Sequence, residues 1–97
     1  MIKFEMKEQE VDLTLDFYHL AQLETKHPKD YKRYNEACKA GVQNDLDAVK
    51  VIYTAYLCAN MDQMPDVMSY EEFLQKMKNG RDRVWKAYTA LYTDVKN

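Results

Sequence analysis

The chain has 97 residues and a formal net charge of −2, and 31% of its residues are charged. This length accommodates one domain, and the net charge is opposite in sign to that of a typical nucleic-acid-binding domain. No apolar run in the sequence reaches the length of a membrane-spanning helix.

The N-terminal segment and the two cysteines indicate a cellular setting. Residues 1–10 are charged and lack the apolar stretch of a secretory signal peptide. We therefore expect a cytosolic protein in which Cys38 and Cys58 are reduced. Each cysteine falls on the apolar stripe of a predicted helix, which favours a role as a small buried side chain.

The first 15 residues alternate between apolar and polar side chains. The apolar positions are Ile2, Phe4, Met6, Val11, Leu13 and Leu15. This period of two predicts two half-buried strands. The short polar segment Lys7–Glu10 predicts the connection of a β-hairpin.

From Asp16 onward the apolar residues recur with a helical period. Asp16 is placed to cap a first helix, and Pro28 is expected to end or restart that helix. Its apolar side is predicted to carry Phe17, Leu20, Ala21 and Leu23. A second helix is predicted over Lys29–Ala40, with Gly41 as its end. The face of this second helix carries Tyr31, Tyr34, Ala37 and Cys38.

The segment Asn44–Asn60 predicts a helix with apolar side chains around most of its circumference. Asn44 or Asp45 is placed to cap it, and the carboxylates of Asp45 and Asp47 suit the positive end of the helix dipole. Its main stripe comprises Leu46, Val49, Ile52, Tyr53, Tyr56 and Leu57, and the polar interruptions are Lys50 and Thr54. A helix that is apolar on nearly all sides is predicted to be surrounded by its neighbours.

Two further helices are predicted after this central one. Ser69 and Glu72 form the pattern of a capping box, and Met68 and Phe73 occupy the two positions of a hydrophobic staple. This helix is predicted to carry Phe73, Leu74 and Met77 and to end at Gly80. The last helix is predicted over Arg81–Val95, and its stripe comprises Val84, Trp85, Tyr88, Leu91, Tyr92 and Val95.

Together these elements predict a single domain over residues 1–97 with a mainly α (α+β) fold. A β-hairpin over residues 1–15 precedes a bundle of four to five helices over residues 16–95, packed around the central buried helix. The sequence has no glycine-rich phosphate loop and no His and Cys residues at metal-ligand spacing. We therefore expect no enzymatic activity, no metal and no cofactor.

Two segments of the chain resemble a known family. Val51–Asn60, which reads VIYTAYLCAN, and Ser69–Phe73, which reads SYEEF, are similar to segments of the tail assembly chaperones of long-tailed (siphovirus-type) phages and prophages of Gram-positive bacteria. The resemblance extends over most of residues 1–77 as a pattern of side-chain sizes and polarities. The segment Lys26–Lys39 departs from this pattern, because it is longer and more basic.

The resemblance implies a non-enzymatic function in virion morphogenesis. Members of this family bind the tape-measure protein in the cytoplasm of the bacterial host, recruit tail-tube subunits and are absent from the mature virion. The resemblance therefore implies that the partners of this chain are the tape-measure protein and the tail-tube protein. The net charge is −4 over residues 1–24 and +4 over residues 76–97, and this segregation also leads us to expect a homo-oligomer.

The candidate partner-binding residues are aromatic side chains of the outer helices. Tyrosine and tryptophan offer apolar area to a client while their polar atoms keep the surface soluble. The candidates are Tyr31 and Tyr34 on the second helix, and Trp85, Tyr88 and Tyr92 on the last helix. Ordinary core packing is the competing interpretation for each of them, and it is favoured for Trp85 and Tyr88.

The alternative is a small helical phage or mobile-element regulator that binds nucleic acid or a host protein. Arg81, Arg83 and Lys86 lie close in sequence to Trp85 and Tyr88, and basic residues beside aromatic rings can bind nucleic acid. The acidic net charge and the lack of a recognition-helix turn argue against this alternative. Nucleic acid is therefore not the expected partner.

Overall fold

The predicted mainly helical fold with an N-terminal hairpin is confirmed. The computed structural model describes residues 2–39, 41–64, 66–77 and 80–95. The elements in chain order are β1 (Ile2–Met6), β2 (Gln9–Leu13), α1 (Phe17–Lys26), α2 (Pro28–Lys39), α3 (Asp45–Ala59), a 3-10 turn (Met61–Gln63), α4 (Tyr70–Lys76) and α5 (Arg81–Val95). None of the helices in the described ranges combines the length and apolar character that a bilayer crossing demands.

The hairpin is antiparallel, with Phe4 opposite Val11. Its alternation is confirmed, because Phe4, Met6, Val11 and Leu13 are buried beneath the sheet. The connection is shorter than predicted and consists of Lys7 and Glu8 alone. Such a tight turn requires a left-handed backbone, which Glu8 adopts with φ of 68° although it is not glycine. The amide of Lys7 donates to the carbonyl of Lys76 at 2.8 Å, so the turn is fastened to the end of α4.

Side-chain caps begin three of the helices where the sequence predicts them. The Asp16 carboxylate accepts from the amide of His19 at 2.8 Å, and Asn44 accepts from the amide of Asp47 at 2.9 Å. The hydroxyl of Ser69 accepts from the amide of Glu72 at 3.1 Å, whereas the Glu72 carboxylate lies 3.2 Å from Lys76 Nζ. These caps satisfy amides that the helices themselves leave without a partner.

The helix α3 is the buried centre of the fold, as predicted. Every residue from Val51 to Cys58 is buried. Two details differ from the prediction. Leu46 is 61% exposed, because it lies in the first turn of α3, beyond the part that the other elements surround. Thr54 is fully buried, and its hydroxyl is satisfied by the carbonyl of Lys50 at 2.8 Å.

The helices α4 and α5 close the remaining sides of the core. Phe73 of α4 is fully buried, and its ring lies 6.4 Å from that of Phe4 and 5.2 Å from that of Tyr53. Aromatic contacts of this kind join the hairpin to the central helix through α4. On α5, Val84 and Leu91 of the predicted stripe are buried, together with Ala87. The predicted stripe position Val95 and the predicted helix end Ala40 have side chains outside the described residues.

Candidate functional site

The five predicted contact residues lie at the edge of the core. Tyr31, Tyr34, Trp85, Tyr88 and Tyr92 are all partly buried and pack against the core. They form two clusters. The rings of Tyr31 and Tyr34 are 6.1 Å apart, and the ring of Tyr88 lies 5.4 Å from that of Trp85 and 4.7 Å from that of Tyr92. None of the five is among the strongly exposed large side chains of the described residues, so any partner contact has to be made through their remaining exposed edges.

The structure brings Tyr34 and Tyr92 together in one groove. The groove has a volume of about 360 Å³ and runs along the start of α1. Its lining comprises Thr14, Leu15, Asp16, Phe17, Leu20, Tyr34 and Tyr92. Three separate parts of the chain therefore contribute to it, and its surface is mainly apolar.

The two tyrosines that line this groove are uncharged. Burial raises the pKa of the Tyr34 hydroxyl and that of the Tyr92 hydroxyl well above the ordinary range. Burial also raises the pKa of the Cys38 thiol, which hydrogen-bonds with both tyrosines. All three groups therefore stay protonated at neutral pH, which suits an apolar ligand.

A negative charge lies at the rim of the groove. The Asp16 carboxylate accepts hydrogen bonds from the backbone amide of His19 at 2.8 Å and lies 2.8 Å from Nδ1 of the same residue. Burial raises the pKa of Asp16, but the bonds from His19 outweigh it and hold this pKa below its ordinary value. Asp16 is therefore ionised at neutral pH.

The sequence interpretation missed two exposed aromatic residues at the start of α1: Phe17, which lines the groove, and the next residue, Tyr18. Phe17 is 83% exposed and Tyr18 is 68% exposed. The assignment of Phe17 and Ala21 to the buried side of α1 was wrong, because the helix turns Leu23 toward the core and leaves both exposed. Tyr18 carried a signal that was overlooked, since it is a large aromatic residue outside the apolar stripe.

The basic residues Arg81 and Arg83 at the start of α5 form ion pairs with other elements of the fold. Nε of Arg81 lies 2.9 Å from the Asp45 carboxylate, which also accepts a 2.7 Å hydrogen bond from Nε1 of Trp85. Arg83 lies 3.7 Å from the carboxylate of Glu5. A second groove of about 310 Å³ passes here, and the charged residues that line it are of both signs: Lys3, Glu5, Glu10, Arg83 and Lys86. This mixture does not form the positive track that phosphate binding requires, so the nucleic-acid alternative gains no support here.

The environments of the two cysteines do not activate their thiols. Both are free thiols, and burial raises the pKa of Cys58 to about 12. A protonated, buried thiol is a weak nucleophile. Within the described ranges, no group of three or more His, Cys, Asp or Glu side chains is arranged to hold a metal ion.

Comparison with protein-family models, with curated proteins and with solved structures returns no match. The function is therefore inferred from the groove and from the resemblance of the sequence. Apolar lining, neutral hydroxyl groups, exposed aromatic rings and a carboxylate are also common in surfaces that bind other proteins.

Proposed function

We propose that this protein is a tail assembly chaperone of a long-tailed phage or prophage. It acts without catalysis, binds the tape-measure protein and recruits tail-tube subunits in the bacterial cytoplasm, and it is not retained in the mature virion. The similarity of Val51–Asn60 and Ser69–Phe73 to that family supports the assignment. The observation that carries the binding step is the apolar groove at the start of α1, which Tyr34 and Tyr92 help to line.

The size of the groove indicates how it binds a helical client. A volume of about 360 Å³ admits a few large apolar side chains but not a complete helix. The client therefore inserts residues from one face, spaced three or four positions apart, while the rest of its helix lies across the rim. The exposed ring of Phe17 belongs to the lining and offers further apolar area to the client.

Charge adds a preference to this contact. Asp16 at the rim is ionised and borders the apolar lining. A client segment with a Lys or Arg next to its apolar residues complements that carboxylate, whereas an acidic neighbour opposes it. One such contact is weak, but many copies along a long client coat it effectively.

The test is co-expression of this chain with the tape-measure reading frame of its own genome. We expect the tape-measure protein to become soluble and to co-purify with the chain. Phe17→Ser removes the most exposed ring of the groove and is expected to reduce the amount of client recovered. Leu46→Ser is the matched control, because Leu46 is an exposed apolar residue outside the groove. It is expected to recover as much client as the unmodified chain.

A second variant examines the groove wall. Tyr34→Ser removes a ring that is only partly buried, so we expect it to retain the fold and to lose the client. Circular dichroism of the purified variant establishes that it is folded. A folded, unmodified chain that leaves the tape-measure protein insoluble and also fails to bind the tail-tube subunit would overturn the proposal.

A further inference from the structure

The carboxylate at the rim of the groove has a titratable neighbour on α1. Nδ1 of His19 lies 2.9 Å from one oxygen of Asp16 and 2.8 Å from the other. A ring nitrogen in this position carries a proton that it donates to the carboxylate, so the ring becomes positively charged when its other nitrogen is protonated as well. Both side chains are partly exposed, so the ring can exchange protons with the solvent.

The start of α1 holds this pair in place. Asp16 is the N-cap of the helix and accepts from the backbone amide of His19 at 2.8 Å. The ring of Tyr18 meets that of His19 edge-on, with the ring centroids 5.2 Å apart. Asp16 lines the groove, whereas His19 does not. The imidazole therefore acts on a bound client through its effect on the rim carboxylate.

The other titratable groups that face Asp16 keep their charge state near neutral pH. They are the hydroxyls of Tyr34 on α2 and Tyr92 on α5, which line the same groove, and the thiol of Cys58 on α3. Burial raises the pKa of both hydroxyls well above the ordinary range, and burial together with the charge of Asp16 raises the pKa of Cys58 to about 12. An imidazole, in contrast, ordinarily changes its charge between about pH 5 and pH 8. His19 is therefore the group beside the rim that can change its charge in this range.

We infer that His19 determines the charge preference of the groove. With a neutral ring, the rim carries the negative charge of Asp16, which favours a client whose apolar residues are flanked by Lys or Arg. With a protonated ring, the pair is neutral and this preference is lost. The inference rests on the proposed use of the groove as the contact for the client.

The preference for a cationic client decreases as the pH falls. Lowering the pH from about 8 to about 5.5 protonates the imidazole and leaves Asp16 ionised. Because both side chains are partly exposed, loss of the attraction is expected to weaken the binding of a cationic client by about 2–5-fold. By linkage, the binding of such a client at intermediate pH releases protons from His19.

Two synthetic helical peptides test the inference with the purified full chain. Both carry leucines spaced three and four positions apart, and these leucines are flanked by lysines in one peptide and by glutamines in the other. Fluorescence anisotropy measures the dissociation constants at about pH 8 and about pH 5.5. We expect the lysine peptide to bind about 2–5-fold more weakly at the lower pH, whereas the glutamine peptide should bind equally at both. Asp16→Asn retains a residue that caps helices well and should remove the pH dependence for the lysine peptide.

The two histidines of the chain provide a matched pair of variants. His19→Gln leaves a side chain that stays neutral, so the ratio of the two dissociation constants of the lysine peptide should fall to about one. His27→Gln removes the histidine at the other end of α1 and should retain the ratio of the unmodified chain. Circular dichroism at both pH values establishes that each variant is folded.

The outcomes separate this inference from the proposed function. If both peptides bind but the ratio for the lysine peptide is about one in the unmodified chain, the inference is overturned and the groove remains a contact surface. A ratio that persists in folded His19→Gln, or that disappears in His27→Gln, would also overturn it. If neither peptide binds at either pH, the proposed client contact fails together with the inference.

Discussion

Tyr53 and Tyr56 lie one turn apart on α3 and together bind both backbone polar groups of Met68. The Tyr53 hydroxyl donates to the carbonyl of Met68 at 2.8 Å, and the Tyr56 hydroxyl accepts from its amide at 2.9 Å. Both hydrogen bonds are buried. They fasten the segment before α4 to the central helix and so determine where Phe73 enters the core.

Removal of either hydroxyl is expected to destabilise the protein. Tyr53→Phe leaves the Met68 carbonyl buried without this partner, and Tyr56→Phe does the same to the amide. We expect each to lower the free energy of unfolding by about 1–3 kcal/mol, measured by urea denaturation followed by circular dichroism. The double variant should lose less than the sum, because both bonds hold the same residue.

Tyr18→Phe is the control for these two variants. The Tyr18 hydroxyl is on an exposed side chain, so its removal is expected to change the free energy of unfolding by less than about 0.5 kcal/mol. Equal stability of Tyr53→Phe and the unmodified protein would show that the buried bond to Met68 contributes nothing.

Tyr53 also makes the stability of the protein depend on pH in the alkaline range. Burial raises the pKa of Tyr53 from 10.0 to about 12. Between these two values the unfolded chain loses a proton that the folded chain keeps, so stability falls as the pH rises. Urea denaturation at increasing pH should show this decline. Tyr53→Phe should show a shallower one, because this group is removed while the other buried tyrosines remain.

A polar substitution at the centre of α3 is expected to unfold the protein. Ile52 is fully buried, and Ile52→Asn both removes apolar contacts and buries an amide without a partner. We expect a loss of about 4 kcal/mol or more, which is a large part of the total stability of a small domain. Thermal denaturation checks this, and we expect Ile52→Asn to lack a cooperative transition.

Leu46→Asn serves as the comparison on the same helix. Leu46 is 61% exposed, so the same substitution there is expected to preserve the transition. If both variants were as stable as the unmodified protein, the assignment of α3 as the buried centre would be contradicted. If Leu46→Asn destabilised the protein as much as Ile52→Asn does, Leu46 would belong to the core.

Thr54 tests how a buried hydroxyl is tolerated within α3. Its hydroxyl bonds to the carbonyl of Lys50, which also belongs to the helical hydrogen-bond ladder. Thr54→Val keeps the shape and removes the hydroxyl, so we expect the free energy of unfolding to change by less than about 1 kcal/mol. Thr54→Ala leaves a cavity and should cost more. Thermal denaturation compares the two, and a strongly destabilised Thr54→Val would assign the hydroxyl an essential structural role.

Local sequence patterns account for most of the elements. The alternation of the first residues predicts the hairpin, and Asp16, Asn44 and Ser69 are caps in the structure as in the sequence. A cap acts on amides two or three residues away, so the information is contained in a short segment. Pro28 likewise predicts a second helix from Lys29, and in the structure this helix begins one residue earlier, at Pro28 itself.

The groove is not predictable in this way. Its lining comes from the start of α1, from Tyr34 and from Tyr92, which only the packing of three helices brings together. Periodicity predicts which side of a helix is apolar, but it does not show where the covering elements end. For this reason the exposure of Phe17 and Leu46 differed from the prediction, and Thr54, a polar residue, is in the core.

The contact of Phe4 with Phe73 has a consequence for synthesis of the chain. The ribosome produces the hairpin first, while the aromatic ring that covers its apolar face follows 69 positions later. During translation the nascent hairpin is therefore exposed, and its core can close only when α4 has left the exit tunnel. At about 5–20 residues per second these 69 positions take about 3–14 s to translate, which limits the time for which this surface is open to unwanted association.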